Sequence, residues 1–523
     1  MAGRDPAVGA VWHGGLNALC PVKLYMKILK ACFLMRLKIP VILGFCAAAI
    51  PGMSEMALAD ANAQAAERQV LRGHVPAAVA NLQPIDRLPG STNLSLAIGL
   101  PLRNKEELTN LLQQIYDPAS TNYHHYLTPE QFAVRFGPAT NDYQALIDFA
   151  MSHNLTVTGK HPNRLLVDVT GSVADIEKAF QVTMSVYKHP RENRNFFASS
   201  VEPSVPSALS VLDISGLNNY SLPHPKYKLK PADQSSKATS KFGSGPGGNY
   251  IGSDFRSAYV PGTLLTGAGQ TVGLFQFDGY LQSDISAYEA LAGLPNVPLQ
   301  NVLLDGYNGV PTGNGGEIEV SLDIEMSISM APGLSQIIVY EAGPFGFPND
   351  ILNRMATDNA ARQLSCSWGW SGGPQASTDQ IFQQIAAQGQ TFFDASGDND
   401  AFGPGAVDDP TQTGAPSDNP YIIQVGGTTL TTSGPGGAWV SETVWSVGGG
   451  IGSSGGISVF YPIPSWQQGV SMTNNQGSTT FRNLPDVAMT ADNVYVIADN
   501  GTPYPGTGGT SCAAPLGLVL PHW

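Results

Sequence analysis

Residues 363–400 read QLSCSWGWSGGPQASTDQIFQQIAAQGQTFFDASGDND. Two short apolar runs, 363–368 and 391–393, flank a segment at 379–387 with helical patterning. Further apolar runs at 271–277, 336–340 and 421–425 repeat the pattern. Apolar runs of strand length alternating with helices predict a doubly wound, mostly parallel sheet, because each strand must be covered on both faces. In such sheets the functional site lies at the carboxyl ends of the strands. The α/β region is therefore drawn at 249–523, with its site near residues that follow these runs.

Upstream, residues 69–225 read as a compact α+β domain. Residues 93–100 alternate polar and apolar positions, as a half-buried strand does, and 104–116 carry Leu108, Leu111, Leu112 and Ile115 at helical spacing. Thr128-Pro129-Glu130-Gln131 combines an N-cap Thr, a Pro at the first helical position and a Gln three residues after the cap. Residues 164–169 read as a strand and 172–180 as a capped helix. Between the two regions, 226–248 is rich in Lys, Ser, Gly and Pro, which predicts a solvated linker open to proteolysis.

Charge divides along the same line. From Tyr250 onward there are four Arg and no Lys against 23 Asp and Glu, about −19, so the residues before carry about +5 of the total of −14. The acidic half would repel nucleic acid and anionic membranes. It would also lose much of its charge as pH falls toward carboxylate pKa values. At the other end, Lys27, Lys30, Arg36 and Lys38 accompany an apolar run at 39–50, and Ala57-Leu58-Ala59 offers a cleavage site. That run is too short to span a bilayer, so 1–59 is read as an export leader whose true start is Met26 or Met35. The mature chain would be secreted, extracellular or periplasmic, with no stable membrane span. It keeps two cysteines, Cys366 and Cys512, which make neither a disulfide framework nor a metal site and read as a pair or as two buried thiols.

Three stretches carry candidate chemistry. Gly508-Gly509-Thr510-Ser511-Cys512-Ala513-Ala514-Pro515 sets a serine after glycines at a helix start, where free N–H groups favour negative charge. It is equally an ordinary Gly-rich turn. Between Pro225 and Pro521 there is no His to serve as base. Residues 316–325 place Glu319 and Asp323 four apart, on one helix face. Two carboxyls held together disfavour double ionisation, so one keeps its proton to higher pH. Such a pair could take the proton from Ser511 in acid, where His would already be protonated. The plain alternative is a solvated acidic face. Residues 392–400 bring Asp398 to the end of an apolar strand, where a protonated carboxyl could donate to an oxyanion or simply shape a turn.

Together these stretches resemble the sedolisin family of acid-acting serine-carboxyl peptidases. Tyr126-Leu127-Thr128-Pro129 with Phe132 and Phe136 is similar to that family's activation prodomain. Ala331-Pro332-Gly333, Ser367-Trp368-Gly369, Ser396-Gly397-Asp398, Gly455-Gly456-x-Ser458, Pro464-x-Trp466-Gln467 and Pro485-Asp486-Val487 match in order. The resemblance implies a subtilisin-like peptidase domain behind a ferredoxin-like prodomain. It implies Ser511 as nucleophile, Glu319 as general base, Asp323 as supporting acid and Asp398 as the oxyanion carboxyl. Substrates would be proteins and peptides, and the prodomain would act as intramolecular inhibitor and chaperone. The chain departs from the family at Gln276, where some members carry Glu. It also stops 12 residues after Ser511, diverging past Leu516, where the family continues with a helix, further strands and a calcium site. Calcium is thus expected by resemblance, with ligands that would lie beyond Trp523. A truncated, inactive homologue and a secreted acidic binding module are the alternatives.

Overall fold

The structure, a computed structural model, describes residues 67–229, 242–370, 376–401, 416 and 418–518. The leader, the middle of the linker and the last five residues lie outside them. The chain divides into two compact units, 1–64 and 65–523, and every described residue belongs to the second.

Its centre is an eight-stranded sheet. The strands run Leu299–Leu303, Gln336–Glu341, Thr271–Gln276, Gln363–Cys366, Thr391–Ala395, Ile423–Thr432, Trp439–Val444, with Val487–Thr490 also paired to Ile423–Thr432. All pairings are parallel except that of Trp439–Val444. The predicted parallel sheet is therefore present. The inner strands are apolar throughout because both their faces are covered: Val272, Leu274 and Phe275 are buried, as are Ile337, Ile338, Val339 and Tyr340. Strand order reverses around Thr271–Gln276, which is where the rule for open α/β sheets places a functional site, at the strands' carboxyl ends.

One helix beside this sheet, Gly316–Met330, is buried at all fifteen positions. Ile318, Val320, Leu322, Ile324, Met326 and Ile328 point all around it, as they must in a helix enclosed on every side. Its acids are buried with them, so the solvated acidic face does not exist. The helix packs against a second short one, Thr510–Gly517, that carries Ser511.

The N-terminal portion forms a four-stranded antiparallel sheet in the order Thr156–Lys160, Leu166–Ser172, Asn93–Gly99, Asp213–Ser215. Helices Thr140–Ser152 and Val173–Phe180 complete a split β-α-β arrangement, the ferredoxin-like fold. Thr128 and Gln131 form the predicted reciprocal capping box. Two further helices, Lys105–Ile115 and Pro129–Arg135, turn apolar residues toward helix Ala376–Ala387, and their core is continuous with that of the large sheet. Polar pairs stitch the same contact. Gln380 accepts from the Leu102 amide at 2.7 Å and donates to the Leu100 carbonyl at 3.1 Å. Asn163 donates to Gln384 at 2.8 Å. No helix among the described residues is long and apolar enough to cross a membrane.

Candidate active site

The four residues singled out in the sequence converge at the carboxyl ends of the central strands. Ser511 lies in the first turn of helix Thr510–Gly517, behind Gly509 at φ 122°, a backbone only glycine adopts readily. Its Oγ donates to Glu319 Oε2 at 2.8 Å. Pro515 stands four residues on and offers no N–H, so the Ser511 carbonyl is left for another donor. Ser367 Oγ points at it from 3.4 Å.

Glu319 and Asp323 project from the buried acid helix. Asp323 Oδ1 accepts from Ser367 Oγ at 2.6 Å, and its Oδ2 from Gln276 Nε2 at 2.7 Å. Gln276 in turn accepts from Trp368 Nε1 at 2.7 Å. Gln276 sits at the end of strand Thr271–Gln276 and Ser367 just past Gln363–Cys366, so adjacent strands hold the carboxyl in place. Burial, and then the neighbouring charge of Asp323, push Glu319 well above the usual carboxylate range. Burial pushes Asp323 up to about 7, against the opposing pull of its two hydrogen bonds.

Asp398 follows strand Thr391–Ala395. Its Oδ1 accepts from the Thr510 amide at 2.8 Å and from Thr510 Oγ1 at 2.9 Å. Its Oδ2 is buried and takes no hydrogen bond. Burial raises this carboxyl to about 6, although the Thr510 amide favours its ionised form. A serine hydroxyl on a buried carboxylate, with a carboxyl that stays neutral in mild acid on its other side, can exchange a proton and can stabilise a nearby oxyanion.

Glu317, which has Ser321 rather than an acid four residues on, stands outside the cluster as its spacing implies; its Oε2 accepts from the Gly315 amide at 3.1 Å. Asp486, within another matching stretch, pairs with the buried Arg482 at 2.5 Å and has a structural use. Cys366 and Cys512 are both free and buried. The linker was read as solvated from residue 226, yet Lys226 is only 7 % exposed. Its ammonium binds Asp394 and the Ala395 carbonyl, which compensate the cost of removing it from water. Composition could not show this, because the partner lies 168 residues away. The one local signal was an acid, Asp394, inside an otherwise apolar strand.

A family profile described as "Pro-kumamolisin, activation domain" matches residues 80–220. Xanthomonalisin of Xanthomonas sp. (strain T-22) is 31 % identical over 482 residues, 81 % of this chain and 56 % of that protein. Sedolisin of Pseudomonas sp. (strain 101) is 29 % identical over 84 % of this chain and 77 % of its own length. Kumamolisin of Bacillus sp. (strain MN-32) is 29 % identical over 87 % and 84 % respectively. The chain thus spans a little over half the length of xanthomonalisin and more of the other two.

Proposed function

We propose that this chain, which belongs to the sedolisin family of serine-carboxyl peptidases, is the secreted precursor of an acid-acting serine endopeptidase. The observation that carries the reading is the 2.8 Å hydrogen bond from Ser511 Oγ to Glu319, in a region without histidine.

Ser511 Oγ adds to the substrate carbonyl carbon while Glu319 accepts its proton. Asp323, which burial keeps protonated in acid, supports Glu319 and can share its proton with it, so the reacting state is the fraction of the pair that has lost one proton. The Ser511 amide and a protonated Asp398 stabilise the oxyanion. Glu319 then returns the proton to the leaving amine, and water hydrolyses the acyl ester by the same route reversed. The acid optimum follows from Asp398: ionised, it cannot donate to an oxyanion, and its carboxyl loses its proton near pH 6.

Residues 69–225 act as the activation domain, and cleavage between them and the peptidase releases the enzyme. Protein and peptide substrates follow from the family. As for calcium, one cluster among the described residues gathers three ligand-type side chains, His161, Asp168 and Asp350. Its imidazole already bonds Asp168 at 2.8 Å, and calcium prefers six to eight oxygens, so the set does not fit.

Peptide hydrolysis at pH 4 by the full chain, measured against Ser511→Ala and Glu319→Gln, tests the reading. Both substitutions should remove activity by roughly 10³-fold or more. Activity retained in Ser511→Ala would overturn it.

A further inference from the structure

Residues 224–228 do not leave the N-terminal portion as free linker. They lie across the candidate active site in extended form. His224 and Pro225 pair antiparallel with Gly369 and Trp368. The Lys226 amide donates to the Ser367 carbonyl at 2.9 Å, and the Lys226 carbonyl accepts from the Ser511 amide at 3.1 Å. Lys228 then exchanges two backbone hydrogen bonds with Gly508, at 2.8 and 2.9 Å. The segment is therefore an added strand, gripped by its backbone on both sides of one peptide bond.

That bond is Lys226–Tyr227. Its carbonyl oxygen takes the amide of the nucleophile, as an oxyanion would. A Cβ built on Gly509 would stand 2.6 Å from this oxygen and 2.9 Å from the unpartnered Asp398 Oδ2, so both converge beside the same glycine. On the far side, the Tyr227 hydroxyl donates to the Gly315 carbonyl at 3.0 Å.

The side chain of Lys226 enters a closed slot. Its ammonium donates to Asp394 Oδ1 and Oδ2, both at 3.1 Å, and to the Ala395 carbonyl at 2.7 Å. All three of its protons are thereby used. Asp394 is fully buried and is further held by Gln424 Nε2 at 2.6 Å. Gly369 leaves room for the stem: a Cβ there would stand 2.9 Å from Lys226 Cε.

We propose that Lys226–Tyr227 is the bond this zymogen cuts in itself, and that Asp394 at the base of the slot makes the mature enzyme select lysine before the scissile bond. The proposal rests on the peptidase reading above. In the step, Ser511 Oγ bonds to the Lys226 carbonyl carbon and the C–N bond to Tyr227 breaks. The Ser511 proton passes through Glu319 to the Tyr227 nitrogen, which becomes a new N-terminus. Water then releases Lys226 as a free carboxylate. A buried Asp left without its ammonium would be costly, which is why an uncharged residue in the slot should be disfavoured.

The test uses the full chain, activated in acid, and the peptide Leu-Pro-His-Pro-Lys-Tyr-Lys-Leu, which copies residues 222–229. A second peptide replaces the first lysine with norleucine, of nearly the same length but without charge. The lysine peptide should be cut before Tyr, with kcat/KM at least about 10-fold above the norleucine peptide. In Asp394→Asn that ratio should collapse toward one. The released N-terminal fragment should end at Lys226 by intact mass. Equal cleavage of the two peptides, or cleavage at another bond, overturns the proposal while leaving a peptidase. Asp394→Asn, if it does not fold, leaves the peptide pair as a decisive measurement on the unaltered protein. No hydrolysis of either peptide or of denatured protein substrate would instead defeat the peptidase reading itself.

Discussion

Asp398 and Gln276 show how single residues set the chemistry. Asp398 keeps one oxygen bonded to Thr510 and the other bare, and burial raises it to about 6. Activity should therefore fall as pH rises past about 6. Asp398→Asn, which keeps an uncharged donor at every pH, should shift that falling limb upward by half a pH unit or more in a kcat/KM profile. An unshifted limb would assign it to another group. Gln276 bridges Asp323 and the Trp368 indole. Gln276→Ala would leave Asp323 Oδ2 and the Trp368 indole N–H without this partner, at a cost of about 1–3 kcal/mol in denaturant unfolding. Glu319 and Asp323 were legible in the sequence because a four-residue spacing is local information. Gln276 and Ser367 as the partners of Asp323, and the pairing of Lys226 with Asp394, were not legible, because those contacts join residues 44 to 168 positions apart.

At the scale of elements, what could be read depended on whether the signal was local. Predicted strands at 271–277, 336–340 and 363–368 appear as Thr271–Gln276, Gln336–Glu341 and Gln363–Cys366, since a strand buried on both faces writes itself as an apolar run. The capping box at Thr128 was equally plain, and it is testable. Thr128→Ala should cost about 1 kcal/mol of stability, because the Gln131 amide loses its acceptor. The helix Gly316–Met330 was misleading in one respect. Its acids suggested water, but enclosure by neighbouring helices and strands overrides that inference, and Glu325 shows how. Burial pushes its carboxyl well up, and the Ile497 amide caps it at 3.2 Å. An acid helix inside a protein is tolerable when its members are bonded or protonated. The antiparallel strand Trp439–Val444 and the hairpin Val494–Thr507 went unread, since mixed Gly, Ser and Thr patterns carry little periodicity.

For the whole molecule, buried carboxyls tie stability to acid. Burial is the first cause of the rise in each of four groups: Asp323 to about 7, Glu341 to about 8, and Asp379 and Asp398 to about 6. Each binds its proton more tightly folded than unfolded. The stability they lend is complete below about pH 4 and is lost as pH rises through 6 to 8. The melting temperature should therefore decline between pH 4 and pH 8, as measured by calorimetry. Glu341→Gln should flatten the upper part of that decline, because both Glu341 oxygens are buried without partners. A melting temperature that climbs over this interval would contradict the assignment.

The strand at residues 224–228 is seated in the cleft of its own chain, which bears on reaction order. A tethered segment sees its site at an effective concentration that no dilution alters. The first cut should therefore proceed with the same half-life at nanomolar and micromolar protein. Once the bond is broken, the freed N-terminal fragment becomes a separate solute. Its grip on the cleft then weakens with every dilution, so that sample volume alone would decide how much enzyme stays masked.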